Sequence, residues 1–237
     1  YRETCCWAHL AGEVAALHAR DLAAHGLLGQ TIFETAWAIR GMEELLTDLV
    51  LQPEWAAMLL DALTDLRIFQ ATVYAQADVD VLRLGDDVAS QKGMLMSPAL
   101  WRAWFKPRLA RVIEAARSAK PDILIWYHSD GDCQAIIPEL IEIGVDILNP
   151  VQPEVMDPAH TKALYGDRLS FSGTIGTQTT MPHGTPAEVR QEVKRRIDTV
   201  GRGGGLLLAP THVLEPDVPW ENIIAFIEAV EEYGSYA

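Results

Sequence analysis

The sequence predicts an α/β fold, closed as a (β/α)8 TIM-type barrel. Short apolar runs alternate with longer helical patterns along the chain, and no Ser/Gly-rich linker interrupts the alternation. Most of the short runs are apolar throughout, the pattern of parallel strands covered on both faces. Of the 237 residues 49% are hydrophobic and 22% charged, enough for a full core. Strand and helix in regular alternation imply a parallel sheet. The expected organisation is one domain over 1–237, with a helical segment at 1–26 and the barrel over 27–237.

Candidate strands lie at 27–33, 79–84, 123–127, 145–148, 169–172 and 206–209. The amphipathic stretch 53–77 opens on Pro53, which suits a first helical turn. Ser97-Pro98 starts a helix that runs to about residue 120, with Ser as N-cap and Pro at the first position. A helix over 132–143 ends at Gly144, a favoured residue just past a C-terminus. Thr185-Pro186-Ala187-Glu188 combines a cap, a proline start and a capping box for a helix to Val200. The last helix spans 219–233. Gly201-Arg202-Gly203-Gly204-Gly205 is the one glycine cluster; it precedes a strand and opens no helix, so it reads as a turn and not as a phosphate cradle. That favours a barrel over an open nucleotide-binding sheet. Six strands fall short of eight, and the chain opens on Tyr1 without Met, so the first barrel strands are expected outside the sequence given.

Nineteen Lys and Arg face 33 Asp and Glu, a formal charge of −14. Nucleic acid and anionic membrane surfaces need a cationic footprint, so both are disfavoured as partners. Cys5, Cys6 and Cys133 form no disulfide framework, which points to a reducing, cytoplasmic setting. No apolar run reaches the ~20 residues of a membrane span.

In a barrel the functional face is built from the loops after the strands. The loop after 123–127 carries His128 and Asp130, whose i, i+2 spacing at a strand end points both side chains the same way. An imidazole with a carboxylate is a common beginning of a metal site, and His212, after the last strand, is the third candidate ligand. Three ligands and one open position describe a catalytic zinc site. The competing reading makes His128 and His212 hydrogen-bonding residues of a metal-free substrate pocket. Asp86 and Asp87 are adjacent, so at most one faces the mouth. One is expected to orient substrate, with Asp87 singled out, and the other to be a cap or loop carboxylate. Gln152 and Glu154 follow the same logic after 145–148. Trp126 and Tyr127, beside His128, are candidate pocket lining, whereas Trp37, Trp55, Trp101, Trp104 and Trp220 read as helix packing. Cys133 begins a helix but reads first as a small semi-buried residue. His160 and His183 read as solvated; His9, His18 and His25 have no partner spacing, and Cys5-Cys6 has no ligand spacing.

Several motifs in order now resemble the uroporphyrinogen decarboxylase superfamily over about 27–233. They are Ile32-Phe33-Glu34-Thr35-Ala36-Trp37 with Arg40-Gly41, Gly85-Asp86-Asp87, Met96-Ser97-Pro98 and Phe105-Lys106-Pro107. The His128 loop, Gly144-Val145-Asp146, the Gly173 loop with Thr185–Val189, and Ala209-Pro210-Thr211-His212 complete them. The resemblance implies a TIM-type barrel. It includes zinc-dependent methyltransferases that work with corrinoid proteins and hold zinc by a His-x-Cys pair and a late Cys. Here His128 matches, Asp130 stands in place of the Cys, and His212 takes the final position. Nitrogen and oxygen in place of sulfur favour harder metals and leave zinc admissible. The decarboxylase branch uses no metal and relies on an Asp and an arginine-rich segment near the N-terminus, neither of which is found in this sequence. The expected function is therefore metal-dependent methyl transfer between a small methylated substrate and a corrinoid protein or thiol. His128, Asp130 and His212 would bind metal, Asp87, Gln152 and Glu154 would orient substrate, and Trp126 and Tyr127 would line the cofactor pocket. A metal-free porphyrinogen decarboxylase and a non-catalytic corrinoid- or tetrapyrrole-binding barrel are the alternatives; a homodimer is left open.

Overall fold

The computed structural model describes residues 7–235; Cys5 and Cys6 lie outside them. The α/β class is as predicted, with six parallel strands among the described residues. The chain forms two compact units. The first runs to Val88 and takes in Met94–Ser129 and Ala135–Asp146; the second holds Ala89–Gly93, Asp130–Gln134 and the chain from Ile147.

The first unit contains β1 (His25–Leu28), β2 (Val81–Gly85) and β3 (Leu124–His128), paired in parallel in that order. Leu28, Leu82, Leu84, Ile125 and Tyr127 alternate along these strands and form a buried face. Its helices are α1 (Leu10–His18), α2 (Phe33–Arg40), α3 (Met42–Leu51), α4 (Pro53–Gln76), α5 (Pro98–Trp104), α6 (Lys106–Ala119) and α7 (Ile137–Glu142). α4 and α6 pack together. They bury Leu60, Leu63 and Ala71 from one and Leu109, Val112 and Ile113 from the other. Arg108–Asp61 at 2.7 Å and Arg111–Asp65 at 2.9 Å stitch the exposed edge.

Three predicted elements are corrected here. The first strand ends at Leu28, not at residue 33, because Gln30 turns the chain at φ 55° and Phe33 begins α2. Ile32 and Phe33 are buried all the same, and a short apolar run does not distinguish strand from helix start. The helix predicted over 97–120 is two helices. Pro107 has no N–H to donate to residue 103, and its ring crowds that carbonyl, so the chain breaks at Phe105. The helix predicted over 132–143 is a 3-10 turn, Gln134–Ile136, followed by α7; Gly144 ends it at φ 96° as expected.

The second unit pairs β4 (Ile147–Asn149), β5 (Ser170–Ser172) and β6 (Leu206–Leu207) in parallel. The last strand is shorter than predicted, yet Pro210 still bridges to Ile175. Its helices are α8 (Pro158–Tyr165), α9 (Thr180–His183), α10 (Pro186–Thr199) and α11 (Trp220–Tyr233). Ile175, Met181, Val189, Val193, Val218, Ala225 and Ala229 form its core. Two buried polar side chains serve backbone carbonyls beside that core. Asn222 Nδ2 donates to Met181 O and Gly184 O at 2.9 and 2.7 Å. Arg196 Nε donates to Thr174 O at 3.1 Å. Gly203, Gly204 and Gly205 take φ of 78°, 90° and 76°, which explains a glycine run before β6.

The predicted capping box is present: Thr185 Oγ1 accepts from Glu188 N at 3.3 Å, and Glu188 Oε2 accepts from Thr185 N at 2.7 Å. Thr185→Ala is expected to cost about 1 kcal/mol and lower Tm by roughly 2–4 °C in a thermal melt. An unchanged Tm would show that the box contributes nothing to the start of α10.

Candidate functional site

The first unit contributes a cluster of acids around His128. β2 and β3 end level with each other, Gly85 opposite His128. A Cβ on Gly85 would come within 2.9 Å of the His128 Cβ, so glycine leaves that imidazole its room. The two aspartates after β2 then divide as their adjacency requires. Asp86 turns inward, 5% exposed, and its carboxylate accepts from Ile32 N at 2.9 Å and Glu34 N at 3.0 Å. It is the cap carboxylate of α2. Burial outweighs these donors and raises its pKa to about 6. Asp87 stays partly open, with Oδ1 3.6 Å from His128 Nε2.

Glu34, in the first turn of α2, joins this cluster. Its Oε2 accepts from Asp87 N at 3.2 Å. Burial first, and then the neighbouring Asp87 and Asp86 charges, lift its pKa to about 7; His128 and the Asp87 N–H act the other way. Sequence reading quoted Glu34 within a motif but did not single it out as a site residue. The strand-end rule, extended to the loop after the first strand, would have found it.

The residues beside His128 part company. By strand alternation Trp126 shares the His128 face, and Tyr127 takes the opposite one. Tyr127 is 1% exposed and donates its hydroxyl to Asp86 O at 3.4 Å.

The second unit holds the rest. Asp130 Oδ2 and His212 Nε2 stand 4.0 Å apart. Both line a pocket of about 220 Å³ with Gln152, Thr177, Gln178 and Thr211. Gln152 is buried, and its Oε1 accepts from Gly131 N at 3.1 Å, fixing the 130–134 segment. Gly131 has φ 82°, and a Cβ there would lie 2.6 Å from the Ser90 carbonyl, so the turn that presents Asp130 requires glycine. Glu154 does not line the pocket. Its Oε1 accepts from Gln178 N at 3.2 Å and Thr179 Oγ1 at 3.1 Å, and its buried Oε2 has no hydrogen-bond partner.

Cys133 is fully buried before the 3-10 turn, so it does not begin an α-helix. His160 and His183 are exposed, and His18 pairs with Asp80 at 2.9 Å. A larger cavity of the first unit, about 710 Å³, is lined by Arg40, Leu45, Asp48, Trp55 and Met58 and by none of the candidate residues. No helix among the described residues is long and apolar enough to cross a membrane.

Known proteins add a second line of observation. The chain is 31% identical over 174 residues to the Methylcobamide:CoM methyltransferase MtaA of Methanosarcina barkeri, covering 73% of this chain and 48% of that protein. It is 36% identical over 74 residues to a uroporphyrinogen decarboxylase of Pseudoalteromonas translucida, 31% of this chain and 20% of that one. A solved methyltransferase from Methanosarcina mazei superposes with a TM-score of 0.75 at 21% identity, over 95% of this chain and 64% of the other, and so shares the fold. The chain spans about half the length of the methyltransferase relative in sequence (48%). The family profile of uroporphyrinogen decarboxylase (URO-D) matches residues 30–233, and the chain belongs to that family.

Proposed function

We propose that this chain carries metal-dependent methyl transfer between a small methylated substrate and a corrinoid protein or thiol. The observation that carries the reading is the Asp130–His212 pair on the wall of a small pocket, with His128 only two positions before Asp130 in the chain. Each of the three side chains offers one ligand atom. Two ligand atoms each about 2.1 Å from a tetrahedral ion lie about 3.4 Å apart, so the 4.0 Å pair needs to close by about 0.6 Å. A pocket of about 220 Å³ is below the ~300–1,000 Å³ of sites for drug-sized ligands and suits a small substrate. Identity of 31% to the methyltransferase over 174 residues, against 23% to a uroporphyrinogen decarboxylase of Coxiella burnetii over 186, supports the same branch.

His128, Asp130 and His212 would hold a divalent ion, zinc or a harder one, which would supply a Lewis acid favouring the deprotonated form of a thiol or hydroxyl. Asp87, beside His128 Nε2, orients the imidazole, as carboxylates do for ligating histidines. Gln152 holds the segment that presents Asp130. Glu154 anchors the 178–179 loop beside the pocket and so acts on substrate through that loop. Glu34, titrating near neutrality, takes or returns a proton on the His128 side. Trp126, on the His128 face, is the lining residue of the two aromatic candidates; Tyr127 supports Asp86 from behind.

Purified protein is expected to hold near-stoichiometric metal by elemental analysis, and His128→Ala and His212→Ala each to lose it together with methyl transfer. Metal-free protein with full activity would overturn the metal reading. Release of carbon dioxide from a porphyrinogen without methyl transfer would establish the decarboxylase alternative, and tight corrinoid or tetrapyrrole binding with neither reaction the non-catalytic one.

Glu34 gives a second test, by linkage. Its folded-state pKa of about 7 lies above the ordinary 4.5, so the protonated side chain favours the folded state. That contribution is present at and below pH 4.5 and is lost as pH rises through 7. Glu34→Gln, which mimics the protonated form, is expected to melt with wild type near pH 4.5 and above it at pH 8. A difference independent of pH would show that Glu34 does not titrate in this window.

A further inference from the structure

We propose that Arg83 and Trp126, with His25 at the edge, form a binding site for the anionic group of a small organic acid: a carboxylate, sulfonate or phosphate. The three residues come from the three neighbouring strands of the first unit. Arg83 on β2 stands directly opposite Trp126 on β3, and His25 lies on β1 on the same face of the sheet. The Arg83 guanidinium carbon is 4.5 Å from the centroid of the Trp126 indole. The His25 ring meets the same indole edge-on, at 6.0 Å and 66°.

Two observations point to a ligand here. Stacking on the indole occupies only the face of the guanidinium and leaves its in-plane N–H donors available. No carboxylate or carbonyl of a described residue takes them. The other buried or half-buried arginines all have acceptors: Arg67 on Thr31 O, Arg108 on Asp61, Arg117 on Asp146, Arg190 on Glu228 and Arg196 on Thr174 O. In a chain with 33 acids and 19 bases, a half-buried arginine without a carboxylate is conspicuous. Independently, Trp126 is 8% exposed, and its buried Nε1–H has no hydrogen-bond partner. A buried donor left unsatisfied costs about 1–3 kcal/mol, so an acceptor from outside the chain would relieve it.

Electrostatics agree with this picture. His25 is held below the usual imidazole value by burial first and by the Arg83 charge next, with Asp80 opposing. Asp80, the nearby carboxylate, accepts from His18 Nε2 at 2.9 Å and from Ala24 N at 2.6 Å.

An oxygen acid fits what is offered. The guanidinium fork matches two oxygens of a carboxylate, sulfonate or phosphate. Trp126 lies two residues before His128 on one face of β3, about 7 Å along the strand. An anion at Arg83 can thus belong to the molecule that reacts beside His128. That last step rests on the proposed methyl transfer; the anion site itself does not.

The test uses metal-free protein with indole-labelled tryptophan, in which Trp126→Phe identifies the Trp126 Nε1–H resonance. Acetate, methanesulfonate and inorganic phosphate are titrated separately against chloride at constant ionic strength. A saturable shift of that resonance with at least one of the three is expected, and the responding anion identifies the acid class. Arg83→Met should raise the concentration required by about tenfold or more, and Arg83→Lys by less. The remaining indole resonances report whether each variant is folded. No saturable shift with any anion, or an Arg83→Met titration that overlays wild type, would overturn the proposal. Because neither metal nor turnover enters, this outcome is independent of the methyl-transfer reading.

Discussion

The buried carboxylate of Asp86 is the constraint on which the His128 side of the site depends. One side chain after β2 receives the backbone N–H groups of Ile32 and Glu34, and so ties the end of one strand to the start of α2. That tie has three consequences. It turns Asp87 outward toward His128, because adjacent residues cannot both face inward. It brings Glu34 close enough to accept from the Asp87 N–H. It also gathers three carboxylates where water is scarce: desolvation raises both Asp86 and Glu34, and the Asp87 and Asp86 charges raise Glu34 further. Perturbed carboxylates at the ends of parallel strands are where acid–base chemistry is found in this class of fold.

In the second unit backbone geometry plays the corresponding role. Gly131 at φ 82° runs against the Ser90 carbonyl, and Gln152 holds its N–H. Together they set the direction in which Asp130 leaves the chain. The Thr177–Thr211 hydroxyl contact at 2.9 Å closes the pocket wall from which His212 projects. A site built this way needs little of its own binding energy to be held, since the ordering cost falls on the fold.

Much of this was legible in the residues alone, and for identifiable reasons. Long amphipathic helices with proline starts and caps, such as α4 and α10, are local and were read to within a residue or two. The alternative roles of Asp86 and Asp87 follow from strand geometry. What failed to read out were the short elements. The segment 27–33 is apolar at both ends whether it finishes a strand or begins a helix, and only the Gln30 turn and the Asp86 carboxylate, 54 positions from Ile32, decide it. Proline at position 107 can start a helix or end one, and here it does both jobs at the Phe105 break.

By itself the sequence determined the α/β class, and it singled out the strand ends and His128, Asp130 and His212 as candidates, because these depend on periodicity and local spacing. Only the tertiary structure decided which polar side chains are engaged in holding the fold and which remain available. Gln152 and Glu154 are engaged with backbone groups of neighbouring loops. Glu34 is moved to near-neutral titration by burial first and then by carboxylates 53 and 52 positions away. Arg83 and Trp126 gain their character from standing side by side across a parallel pair. Such properties arise from desolvation and cross-strand proximity, and no pattern along one strand encodes either.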